Sequence, residues 1–222
     1  TDQGTITITD GNTVGTLTIA ANNAEDVYVD GSSLDATITS ATGGNFEQLV
    51  IGTATATAVV NDTTNTTTVN LSGSTQTEGA SASYIFTATL SQASQGTTTI
   101  VTDQGTITIT DGNTVGTLTL TANNAEDVYL DGSSLTATIT SATGGNFENL
   151  VVGTAAATAV VNDTINPTTV TLNNVSVDEG TGTATIGASL DHAPTAGPVV
   201  LTLSNGSTVT FNVGYTPGDI VQ

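Results

Sequence analysis

The chain has 222 residues, of which twenty are acidic, none is lysine or arginine and one is histidine, a formal charge of −20. No internal ion pair to Lys or Arg is possible, and nucleic acid, which proteins hold through those two residues, is not expected as a partner. Only 9% of residues are charged and 36% are hydrophobic, so the composition is that of a folded chain rather than a disordered one.

Threonine is the commonest residue, joined by many Val, Ile and Ala. β-branched side chains suit a pleated, half-buried surface, so an all-β protein is expected. Cysteine and methionine are both absent, which removes disulfides, thiol chemistry and the usual oxidation targets and fits an extracellular setting. No apolar run reaches the roughly 20 residues of a membrane helix, so membrane insertion is not expected. The missing start methionine and signal peptide predict a piece of a longer protein.

In chain order, "TDQGTITITDGNTVGTLT" at residue 1 returns at residue 102, a period of 101. Residues 2–62 and 103–163 differ at seven positions, among them Ile19/Leu120, Asp35/Thr136 and Thr55/Ala156. A more divergent copy comes next, in which "TTVTLNNVSVDEGTG" echoes "TTTVNLSGSTQTEGA" and places Glu179 one period after Glu78. A period of this length is that of an immunoglobulin-like sandwich rather than of a solenoid coil. The reading is therefore tandem immunoglobulin-like β-sandwich domains. Residues 1–62 are the C-terminal part of a preceding repeat, 63–163 a complete repeat, and 164–222 the N-terminal part of a following, divergent one.

Within the complete repeat, alternating runs bounded by turn residues predict seven strands, over 66–73, 83–90, 97–102, 105–110, 114–121, 134–142 and 147–161. Tyr84, Phe86, Ala88 and Leu90 share one face of the second strand, and Leu135, Ala137 and Ile139 one face of the sixth, so both sets are expected in the core. "DGN" at 111–113 and "TGGN" at 143–146 read as turns, because Gly and Asn tolerate positive φ. Tyr129, just ahead of the sixth strand, is expected to make a corner hydrogen bond of the sandwich type.

This topology gathers the acids. The connection between the first two strands, the connection between the fifth and sixth, and the end of the seventh lie at one pole of such a sandwich. Glu78 is in the first of these; Asn123, Asn124, Glu126, Asp127 and Asp131 are in the second; Asn162 and Asp163 form the third; Glu148 is expected near the opposite pole, away from them. Two carboxylates about 4 Å apart repel by about 1 kcal/mol in water and about 4 kcal/mol at the effective dielectric of a protein surface, so such a gathering invites a cation. Calcium takes six to eight oxygen ligands in flexible geometry, and carboxylates, Asn amides and carbonyls are what this pole offers. Zinc or copper would call for His or Cys, and magnesium prefers to keep its waters. The other reading is that these acids only keep the surface soluble.

At this point "TEGASASYIFTATLS", "GTLTLTANNAEDVYLDGSSLTATI" and "TGGNFENLVVGTAAATAVVNDT", in that order, make the chain resemble a known family. It is similar over its whole length to the calcium-dependent immunoglobulin-like extender repeats of giant bacterial RTX adhesins, of the biofilm and ice-binding type. The resemblance implies a secreted protein tethered at the bacterial cell surface, whose repeats hold a ligand-binding end away from the cell while calcium stiffens folds and joints. It places the acid of the Glu-Gly turn on Glu78 and Glu179, with Asp178 beside the latter. It places the loop acids on Asp26 and Asp127, with Glu25 and Asp30 the first-copy counterparts of Glu126 and Asp131, and the closing Asn-Asp pair on Asn61, Asp62, Asn162 and Asp163.

His192 in "LDHAPTAG" reads as a solvated loop histidine, no G-x-S-x-G elbow is present, and enzyme activity is not expected. The alternating threonines of "TITITDG" read as outer faces of strands rather than an ice-binding surface. Two rivals to a spacer remain: a ligand- or glycan-binding adhesin module, and a filament subunit whose partial repeats associate end to end between molecules.

Overall fold

The computed structural model describes residues 1–222, and each of its regular elements is a β-strand. In the first copy β1 (Ser32–Thr37) pairs antiparallel with β2 (Thr55–Val60). The middle copy holds β3 (Thr66–Gly73), β4 (Thr75–Thr77), β5 (Ser83–Leu90), β6 (Thr98–Thr102), β7 (Gly105–Ile109), β8 (Val115–Thr121), β9 (Ser133–Gly144), β10 (Asn149–Val152) and β11 (Ala156–Asn162). In the third copy β12 (Val170–Asn173) pairs with β13 (Gly187–Leu190), and β14 (Val199–Thr202) with β15 (Thr208–Phe211).

The middle strands form a four-stranded sheet in the order β10-β3-β5-β8 and a five-stranded sheet in the order β4-β11-β9-β6-β7. Burial alternates along them, so each sheet hides one face and shows the other, the pattern of a β-sandwich. Phe86, Ala88 and Leu90 of β5 and Ala137 and Ile139 of β9 are buried as their parity requires. Tyr84 and Leu135 are only half-buried, and the Tyr84 hydroxyl meets Ser133 Oγ at 2.8 Å.

The first predicted strand, 66–73, is found as β3 at those bounds, whereas the seventh, 147–161, proves to be broken; at both places the chain changes sheets. The first strand ends at Gly73, and Ser74 then donates its N–H to Ile85 O of β5 while its carbonyl accepts from Val160 N of β11. The turn-over is tight enough that a Cβ on Gly73 would lie 2.2 Å from Thr158 O. The seventh breaks between β10, which runs parallel to β3, and β11, which runs parallel to β4. Elsewhere "TITIT" at 5–9 repeats the sequence at 106–110, yet only the later copy forms a ladder, where β7 is held by β6.

The chain packs as two compact units. The first comprises Thr1–Ser72, Thr87–Leu118 and Ala137–Ala157, and buries Val69, Leu71, Ala88, Leu90, Ile100, Ile107, Ile109, Ala137 and Ile139. In it Ser94 N donates to Asn113 O and Gln95 N to Gly145 O, joining three connections at one end of the sheets. The second comprises Gly73–Phe86, Thr119–Thr136 and Thr158–Gln222. It buries Phe86, Ala159 and Val161, and separately a cluster of Ala188, Leu190, Val209 and Phe211. Here Glu78 N donates to Asn162 O, Gly79 N to Asn124 O and Ala122 N to Ala82 O, which brings together the three segments expected at the acidic pole.

Candidate metal centre

Three carboxylates meet in the second unit. One oxygen each from Glu78, Asp131 and Asp163 lie within 4.8 Å of one another. Glu78 follows β4, and its backbone bond to Asn162 at the end of β11 fixes it beside Asp163. Asp131 closes the acidic loop 122–132, whose start is turned by Asn123 at φ 51°.

Glu78 is 6% exposed, an unusual burial for a carboxylate in a chain with no Lys or Arg. Its Oε1 accepts from Thr164 N at 3.1 Å and Thr164 Oγ1 at 2.8 Å, while its Oε2 is buried with no protein partner. Asp163 Oδ1 is buried and unpartnered as well. Thr164 Oγ1 also lies 2.5 Å from Glu126 Oε1, but a hydroxyl has one proton and satisfies only one of the two carboxylates. The buried Asn124 amide meets both Asp131 oxygens at 2.8 and 3.1 Å: a half-turn of the amide makes these hydrogen bonds, whereas a cation between them makes both residues ligands.

The remaining acids take other places. Asp127 turns inward on its own loop, its Oδ1 accepting from Tyr129 N at 2.6 Å, as Asp26 does from Tyr28 N at 2.7 Å. Glu126 and the Asp127 carbonyl hold the Asn166 amide, and Glu25 and the Asp26 carbonyl hold Asn65 in the same way. Asn162 contributes its backbone, and its side chain is exposed. In the first copy Asp30 N donates to Asp62 Oδ2 at 3.3 Å. Asp178 and Glu179 are exposed and outside the cluster. His192 Nδ1 lies 2.8 Å from Asp191 Oδ1 at an exposed site.

Three participants escaped the sequence reading. Thr164 and Asn166 come after the closing Asn-Asp pair and clamp the linker to the acids, as Thr63 and Asn65 do one period earlier. That recurrence was the available signal. Glu148 was expected far from any acid cluster; instead its Oε2 accepts from Asn65 N, and Asp62 and Glu25 are close enough to act on its charge. The expectation failed because the end of the middle copy opposite its own acidic pole meets the acidic pole of the first.

Withheld water holds the Asp131 carboxyl above its ordinary 3.8, and the neighbouring Glu78 carboxylate and the charges of Asp127 and Asp163 add to this. Glu78 lies below its ordinary 4.5, chiefly through the backbone N–H and then the hydroxyl of Thr164. The stabilisation from Asp131 is thus fully present below pH 3.8 and lost as pH rises through its raised value. That from Glu78 is present above pH 4.5 and lost as pH falls through its lowered value. Metal-free protein should therefore gain thermal stability on acidification from neutrality into the carboxylate range and lose it again below, and any cation-dependent gain should shrink over the same descent. Melting curves from pH 7 to 3, with and without calcium, measure both.

A family model described as the LapA domain matches residues 1–63, 65–164 and 166–222. Neither a curated protein nor a solved structure matches the chain. With nearly every residue inside the family match, the chain belongs to the LapA domain family, which takes its name from a large biofilm adhesin of bacteria.

Proposed function

We propose that the chain is a spacer region of a bacterial cell-surface adhesin, built of immunoglobulin-like repeats that calcium stiffens and that carry a ligand-binding end away from the cell. The observation that carries the calcium part is the buried Glu78 carboxylate, with one oxygen unpartnered against Asp131 and Asp163. A set of carboxylate, amide and hydroxyl oxygens without nitrogen or sulfur suits a hard cation, and the number of carboxylates favours calcium over magnesium. When bound, the ion would supply positive charge. The side chains of Glu78, Asp131, Asp163 and Asn124 would hold it, and Thr164 would tie the linker to the same carboxylate. The spacer part is supported by near-identity of successive copies, since a chain specialised for several ligands needs divergent loops.

Calorimetric titration of the intact chain should give saturable calcium binding, with magnesium much weaker. Small-angle scattering at fixed ionic strength should show a narrower range of interatomic distances in calcium than in chelator. Absence of saturable binding, or superimposable distance distributions, would remove calcium from the reading.

A further inference from the structure

The two acidic loops do something besides presenting carboxylates. In the loop 21–31 the Tyr28 ring stacks on Phe147 of the middle copy, with centroids 5.7 Å apart and planes at 25°. Its hydroxyl donates to Ala93 O at 2.6 Å. On either side the backbone pairs as an antiparallel bridge: Val29 N donates to Asn146 O and Glu148 N to Val27 O, both at 3.0 Å. One loop of the first copy thus reaches two separate connections of the next.

The arrangement recurs. Tyr129, one period on, donates its hydroxyl to Ala193 O of the third copy at 2.9 Å rather than closing a corner of its own sandwich. Each loop is shaped for this beforehand, because the Asp two residues earlier accepts the tyrosine N–H and the Asn amide spans the loop to the carbonyl of Asp30 or Asp131. The recipient segments, "SQASQG" and "DHAPTAG", share little sequence. The contact survives because the hydroxyl reads a main-chain carbonyl, which every residue provides.

None of these docking contacts uses a carboxylate or needs a cation. We propose that Tyr28 and Tyr129 dock each repeat onto the next without metal, so that the joint is partly ordered before any ion binds, which leaves calcium room to narrow it further. The occupant of the docking surface is the following copy in the same chain. The proposal stands whether or not calcium binds.

Amide hydrogen exchange of the full chain in metal-free buffer tests it, because the Val29 and Glu148 N–H groups bond across the joint and report its opening. In the unaltered protein both should be protected. Tyr28→Ala should speed their exchange about tenfold, the combined loss of a ring pair and a hydroxyl bond, while the Ile100 and Ile107 amides keep their rates. Tyr28→Phe, which retains the ring, should give a smaller acceleration confined to the same two amides. If Tyr28→Ala also exposes the core amides, the Tyr28→Phe result decides. Unprotected Val29 and Glu148 amides in metal-free protein, or rates unmoved by Tyr28→Phe and Tyr28→Ala, would overturn this docking. Adding calcium to the same samples tests the cation separately, since an unresponsive spectrum would leave a tyrosine effect intact.

Discussion

In calcium the chain should melt about 10 °C or more above its metal-free temperature, and Glu78→Gln should abolish most of that gain. A cation bound only by the folded state, at a hundredfold excess over its Kd, adds about 2.7 kcal/mol. For a single repeat of about 100 residues each kcal/mol moves the melting point by about 4–8 °C. Glutamine keeps an acceptor for Thr164 N and occupies the same volume, but removes the charge that faces Asp131 and Asp163. Metal-free Glu78→Gln protein should lose only what the Thr164 bonds gain from the charged carboxylate, a small loss offset in part by the repulsion that is gone. The variant thus separates a cation site from packing: a merely structural role for Glu78 predicts the same loss in both buffers, a cation site a much larger loss in calcium. Calorimetric melting of both proteins in both buffers decides it, and an unchanged calcium gain in the variant would dismiss Glu78 as a ligand.

Glu148→Ala should weaken one class of calcium sites about tenfold or more, since affinity in such sites depends on the number of charged ligands. Its carboxyl sits above the ordinary 4.5: the Asn65 N–H bond pulls it down, but burial and the charges of Asp62 and Glu25 outweigh that bond. A carboxylate held high by other carboxylates is one that a cation relieves. Glu47, one period earlier, is exposed, so Glu47→Ala supplies a control of the same sequence position in a different setting. Equal losses in the two variants, read by titration calorimetry, would mean that diffuse charge rather than a shared site attracts the ion.

The contrast between Glu47 and Glu148 also marks what sequence can carry here. Period, strand class and faces were legible, because alternation along a strand is local: Phe86, Ala88 and Leu90 declare their side by parity alone. The gathering of Glu78, Asp131 and Asp163 came from topology, because each sits in a connection whose pole is set by strand order. Partner choice was not legible. The alternation of residues 66–77 continues through Gly73 without a sign that the chain there leaves β5 for β11. Nor does "NFENL" differ usefully from "NFEQL", although only Glu148 lies against another copy's acids. Contacts between copies depend on which repeat lies on either side, and identical segments cannot encode that difference.

The parallel pairing of β10 with β3 and of β11 with β4 sets how the chain would resist a pull along its length. In each pair an early strand of the middle copy lies beside a late one pointing the same way. Tension that draws the chain out from both ends pulls these neighbours in opposite directions along their length. The ladder hydrogen bonds then lie across the load rather than along it, so they must fail together instead of peeling one by one. In β4 and β11 the clamped register is Thr75↔Val160 to Thr77↔Asn162, ending one residue short of Glu78 and Asp163. An ion gripped by those two carboxylates would rivet the end of the sheared seam, and the force needed to extend the chain would then rise and fall with the calcium around it.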